Sequence, residues 1–137
     1  MNRLKNTLPI YLFLLISVAS CSSDDGGDEG INPIDPPTAT TLIFPENNTE
    51  CNEGVIISDS ETEVLFQWQD ATNATSYILK VKNLNDGTSR TISTLSNEFL
   101  LRVLRGTPYS WSVTSLASGT TETTESAVWK FYNSGLP

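Results

Sequence analysis

Seven carboxylates, Glu46, Glu50, Glu53, Asp59, Glu61, Glu63 and Asp70, crowd into one short stretch of the chain. Paired carboxyls are the groups that hydrolyse glycosidic bonds, one as acid and the other as base or nucleophile. That division of labour needs surroundings that push two pKa values apart. No apolar pocket is marked around any pair here, so the carboxylates read as a solvated surface. The sequence contains no histidine, which removes the commonest general acid/base, the usual partner of a nucleophilic serine and the commonest metal ligand. The strand–turn–helix G-x-S-x-G elbow and the D-x-[DN]-x-[DN]-G calcium spacing are both missing. No catalytic residue, cofactor or metal site is predicted, and the chain reads as a non-enzyme. What chemistry remains belongs to the two cysteines, Cys21 and Cys51.

Cys21 follows Val18-Ala19-Ser20, at the end of an apolar run that starts at Leu8, with Arg3 and Lys5 before it. A positive start, an apolar middle and small residues at the boundary make a secretory signal over 1–20. The run is near half the roughly 20 residues a spanning helix needs. A cysteine directly after the small residues resembles the lipobox of bacterial lipoproteins. The resemblance implies that the Cys21 thiol is acylated and heads the mature chain, which makes the membrane a partner through a covalent anchor. Two acyl chains are enough for stable residence.

Residues 21–38 are rich in glycine, proline and acid, with no apolar period. Such a segment cannot bury enough surface to offset its ordering entropy. It is predicted to be a disordered tether reaching roughly 25 Å. Asp24-Asp25 resembles the acidic export signal of Bacteroides-type surface lipoproteins, which implies an outer-membrane address facing the exterior; a periplasm-facing protein with a merely solubilising acidic linker is the other reading. Without Arg3 and Lys5, six of the eight basic residues stand against 16 acidic ones, a net charge of −10. That charge argues against nucleic acid as a partner. If Cys21 carries lipid, the two cysteines cannot pair with each other. Cys51 is then a small buried side chain, a quiet loop thiol or the site of an intermolecular disulfide.

From Thr40 the pattern becomes short alternating runs. Val64, Phe66 and Trp68 share one face, as do Tyr77, Leu79 and Val81, then Phe99, Leu101 and Val103, then Tyr109, Trp111 and Val113, then Ala127, Trp129 and Phe131. Period two repeated five times is an all-β signature. Thr41–Phe44 and Ser89–Thr94 bring the expected strands to about seven. Strands with one apolar and one wet face pack as two sheets, so residues 39–137 are predicted to form a β-sandwich.

The aromatic spacing resembles a fibronectin type III domain. Trp68 matches that family's second-strand tryptophan and Tyr77 its third-strand aromatic. Val103-Leu104-Arg105-Gly106-Thr107-Pro108-Tyr109 is similar to its L-x-P-G-T-x-Y approach to the sixth strand, with Arg105 in place of the turn proline. The resemblance implies a seven-stranded Greek-key sandwich of the fibronectin type III or immunoglobulin-like kind, with Tyr109 at a tyrosine corner. It implies no particular ligand.

Trp68, Tyr77, Tyr109, Trp111 and Trp129 are therefore core residues. Tyr132 is the aromatic assigned outward, with Leu65, Ile78 and Val128. The long connection from Pro45 to Glu61 contains Val55-Ile56-Ile57 and is an extra edge strand or a binding loop. Tyr132, Val55 and Ile56 are the candidate binding residues. Two functions follow: a surface-anchored adhesion module for a protein partner, or a glycan-binding accessory protein of a polysaccharide-uptake system, with the loop and one sheet face forming a shallow site.

Overall fold

The computed structural model describes residues 34–51 and 54–134. The signal over 1–20, Cys21, and the proposed sorting residues Asp24 and Asp25 lie outside the described residues. Among the described residues the alternation becomes ten strands: β1 Leu42–Phe44, β2 Thr49–Cys51, β3 Val55–Ile56, β4 Glu61–Trp68, β5 Ser76–Asn83, β6 Ser89–Thr94, β7 Glu98–Leu104, β8 Thr107–Leu116, β9 Thr123–Glu125 and β10 Trp129–Asn133. Seven of them, β1, β4, β5, β6, β7, β8 and β10, match the predicted strands; β2, β3 and β9 are short additions.

In the smaller sheet β4 is central, with β1 and β3 along one side and β7 along the other. In the larger sheet β8 lies between β5 and β10, with β6 outside β5 and β2 outside β10. All ladders are antiparallel except that of β2, which runs parallel to β10. The described residues form an all-β sandwich of two sheets, as the alternation predicts.

The period-two pattern is clearest in β4, where every second residue is buried. Val64, Phe66 and Trp68 have no exposed surface, and Leu79 and Val113 face them from the larger sheet with none either. Phe66 meets Trp111 edge-on at 5.2 Å between centroids, and Trp68 meets Tyr77 at 5.7 Å. Such edge-to-face pairs contribute beyond their buried area. Tyr77 also accepts the Ala71 N–H on its hydroxyl at 3.0 Å, which fastens the turn after β4.

The last strand departs from the simple alternation. β9 pairs with Thr114–Leu116 of β8 and β10 with Thr107–Trp111, so Ser126–Val128 interrupts the edge. Ser126 holds the break: its amide donates to the Val113 carbonyl at 2.8 Å, and its Oγ accepts the Val113 amide at 2.9 Å. A bulge of this kind shifts side-chain parity. Ala127, predicted to face inward, is therefore exposed, and Trp129 is half-buried against the core.

The Pro45–Glu61 connection holds two of the short strands. Val55–Ile56 is an edge strand on β4, one of the two predicted alternatives. Thr49–Cys51 joins the opposite sheet. Cys51 is 2% exposed, a burial that closes off the intermolecular disulfide.

Candidate functional site

The outer face of the larger sheet is built by residues that the pleat turns away from the core. On β5 these are Ile78, Lys80 and Lys82; on β8, Ser110, Ser112 and Thr114; on β10, Lys130 and Tyr132. Register fixes their neighbours. Lys82 and Lys130 stand on either side of Ser110. Neighbouring strands lie 4.7–4.9 Å apart, so the two lysine backbones are about 10 Å from each other. Lys80 stands beside Ser112, whose hydroxyl donates to the Glu125 carboxylate at 2.8 Å.

One step along the strands, Tyr132 pairs with Pro108, and the Leu84 amide donates to the Pro108 carbonyl at 2.9 Å. Leu84, Pro108 and Tyr132 thus form an apolar row next to the lysine row. Together with Asn48, Glu50 and Lys130 they line an open groove of about 530 Å³. A second depression of about 200 Å³ adjoins it, with Lys80, Lys82, Ser110, Ser112 and Glu125 in its walls. Asn47 and Asn48 shape the rim: the Lys130 amide donates to Asn47 Oδ1 at 2.9 Å, and the Asn48 amide donates to the Lys130 carbonyl at 2.7 Å. Asn48 adopts a left-handed φ of 58°, a conformation asparagine tolerates better than most residues.

The candidate binding residues do not come together. Tyr132 sits on the larger sheet, 43% exposed, whereas Val55 and Ile56 lie on the edge strand of the smaller one, 62% and 45% exposed. A single site made of the long loop and Tyr132 is therefore corrected. The two halves of the loop serve opposite sheets, and only its β2 half borders Tyr132. Leu84, Pro108 and Lys130 complete the groove and were not candidates, because turn and strand residues from three places meet there only through the ladders.

On the inner face of the same end, next to Pro108, Tyr109 closes the corner. The Leu104 amide donates to the Tyr109 hydroxyl at 2.8 Å, across the turn that holds Gly106 at φ +63°. Glycine suits that conformation because it has no Cβ to clash. The Arg105 amide donates to the Ser60 carbonyl at 2.9 Å, a bond that the proline of the resembling motif could not make. Its guanidinium adds a bond to the Asp59 carbonyl at 3.2 Å, so the substitution tethers the long connection to the corner.

Burial holds the Tyr109 phenol above its ordinary value of 10.0, with the Leu104 N–H opposing the shift. In the unfolded chain the phenol ionises near 10.0. The stabilisation is thus fully present below that pH and is lost as pH rises through the folded value. Tyr109→Phe is expected to lose about 1 kcal/mol at neutral pH and to lack this component of the alkaline decline. Denaturant unfolding at pH 7 and above pH 10 measures both; parallel pH curves for wild type and variant would refute the coupling.

Beside Tyr109 a cleft of about 170 Å³ opens between the sheets, where Glu61, Asp86, Arg90 and Arg102 meet. Asp86 accepts the Thr88 amide and hydroxyl at 2.8 and 2.7 Å, and these bonds draw its carboxyl below its ordinary value of 3.8. Arg90 donates to the Arg102 carbonyl at 2.7 Å. These contacts brace the hairpin after β5 against β7. No group of three or more His, Cys, Asp or Glu that could hold a metal occurs among the described residues.

No family model and no curated protein matches the chain. Among solved structures, the fn3 domain of human collagen alpha-1(XX) chain is similar, with 24% identity over 74% of this chain and 86% of that one and a TM-score of 0.47. An Fn3-like protein from Clostridium thermocellum is 21% identical over 74% of this chain and 94% of that one, with a TM-score of 0.43. A crystal structure of an FN3 domain of human collagen XX is 17% identical over 69% of this chain and 86% of that one, with a TM-score of 0.45.

Proposed function

We propose that this chain is a lipid-anchored, outward-facing surface protein whose one β-sandwich is a non-enzymatic binding module. The anchor rests on the sequence: the signal over 1–20, Cys21 after Val18-Ala19-Ser20, and the acidic pair Asp24-Asp25. The observation that carries the binding reading is the open groove on the larger sheet, where Leu84 and Tyr132 are 41% and 43% exposed on a hydrogen-bonded scaffold. Exposed apolar surface gathered in a groove, with a few polar groups at its rim, marks a binding site better than scattered exposure does.

Metabolic labelling with an alkyne fatty acid tests the anchor. The wild-type chain is expected to take up label and Cys21→Ala to take up none; equal label in both would overturn the anchor. Protease treatment of intact cells separates an exterior address, where the domain is digested, from a periplasmic one, where it is protected.

A second, narrower reading is that the partner is a glycan. Tyr132 favours it, because an exposed aromatic ring on a flat sheet face offers a surface on which a sugar ring can stack. The protein-partner reading instead draws on the exposed Val55, Leu100 and Leu104 of the smaller sheet.

A further inference from the structure

We infer that the outer face of the larger sheet binds an acidic polysaccharide, stacking a sugar ring on the Tyr132 row and holding its carboxylate or sulfate groups with Lys82, Lys130 and Lys80. This inference deepens the glycan reading above and rests on it.

The distribution of charge is the first argument. The whole sequence has three lysines beyond the signal, Lys80, Lys82 and Lys130, in a chain of strongly negative net charge. They come from strands far apart in sequence, yet the ladders through β8 place all three on one exposed face. At physiological ionic strength charges are screened beyond about 8 Å. A ligand on this face therefore senses the local lysines far more than the distant acids. Each depression also carries one carboxylate: Glu125, which accepts the Ser112 hydroxyl, in the lysine-walled one, and Glu50, beside Tyr132 on β2, in the groove; the three lysines outnumber these two.

Spacing is the second argument. Lys82 and Lys130 stand about 10 Å apart across the sheet, and Lys130 is about 7 Å along the strand from Tyr132. Duplex nucleic acid presents one charge per about 1.7 Å, far denser than this pattern. An acidic polysaccharide carries its charges more sparsely, on rings that can stack. An acidic peptide would gain most from backbone bonds at an open strand edge. Here the central strand β8 is paired on both sides, so the face offers side chains alone.

The two depressions are the third argument. The apolar groove and the lysine-walled one are neighbours, because Lys130 of the first pairs with Ser110 of the second, so a stacking surface and a cationic one lie side by side on the same face. The Ser110 hydroxyl between Lys82 and Lys130 is a hydrogen-bonding group suited to a sugar hydroxyl, whereas Ser112 is buried and its hydroxyl is taken by Glu125.

The test uses the full chain in nonionic detergent over immobilised polygalacturonate, dextran sulfate, neutral dextran and polyglutamate. Binding to polygalacturonate or dextran sulfate, weakening with added salt, is expected, and the preference between them tells carboxylate from sulfate. Lys82→Ala and Lys130→Ala are each expected to weaken it about tenfold, the loss of one charge-assisted bond. Tyr132→Ala is expected to weaken it as well, with the circular dichroism spectrum and unfolding midpoint unchanged for all three surface variants. Binding to neutral dextran alone would overturn this inference and leave the glycan reading standing. Polyglutamate binding as tight as the acidic glycans, indifferent to Tyr132→Ala, would overturn it in favour of an acidic peptide. A blank on all four surfaces would overturn both.

Discussion

Trp111→Ala is expected to destabilise the domain by about 3–5 kcal/mol, the usual range for deleting a buried tryptophan. Trp111 is 1% exposed and lies where the two sheets meet. Its ring takes the edge of Phe66 at 5.2 Å and of Trp129 at 6.1 Å, so removing it undoes two aromatic contacts as well as opening a cavity. Its indole N–H has no hydrogen-bond partner, so truncation relieves one buried polar group and places the loss nearer the lower end of that range. Against a total stability of about 5–15 kcal/mol, this is a large share. Urea unfolding followed by far-UV circular dichroism is expected to show a much lower midpoint with the same slope. A loss under about 1 kcal/mol would mean that the site collapses around the missing ring.

Much of this arrangement is legible in the chain, because a strand's side chains alternate and a half-buried strand must show that alternation. Val64, Phe66 and Trp68 declare β4, and Tyr109, Trp111 and Val113 declare β8. The same parity places Tyr132 outside. Alternation fails where pairing is broken: the Ser126–Val128 bulge exposes Ala127, and nothing in the local composition announces it. Nor can periodicity find β2, whose three residues owe their strand conformation to a parallel neighbour some eighty positions later.

The binding face is legible only in pieces. Lys80 and Lys82 read as the wet side of one strand and Lys130 as the wet side of another. That they flank a shared Ser110 follows from register through β8, which the sequence does not display. Arg105 has the same character. In the sequence it is only a missing proline, whereas its amide and guanidinium both bind the connection before β4. Contacts of this kind depend on which loops the sandwich brings together, not on any local preference.

Asn133 presents the strongest case of a residue that no pattern singles out. It ends β10 with no exposed surface, and its side-chain amide donates to Thr62 Oγ1 and to the Leu104 carbonyl, both at 2.8 Å. One amide thus joins the larger sheet to β4 and β7 of the smaller one. Asn133→Leu keeps similar bulk but strips Thr62 Oγ1, inside the core, and the part-buried Leu104 carbonyl of their shared donor. Leaving a buried polar group unsatisfied costs about 1–3 kcal/mol, so a loss of about 2–4 kcal/mol is expected. Part of it is offset because Asn133 Oδ1, itself without a partner, is removed too. The double variant Asn133→Leu/Thr62→Val is expected to recover about 1 kcal/mol, since removing both members of a buried pair is far less costly than removing one. Contacting residues of this kind couple by about 0.5–3 kcal/mol in double-mutant cycles. Strict additivity, with the double variant as weak as the sum of the single changes, would show that the two side chains do not act as a pair. The sheets would then be held at this end by the tyrosine corner and the aromatic core alone.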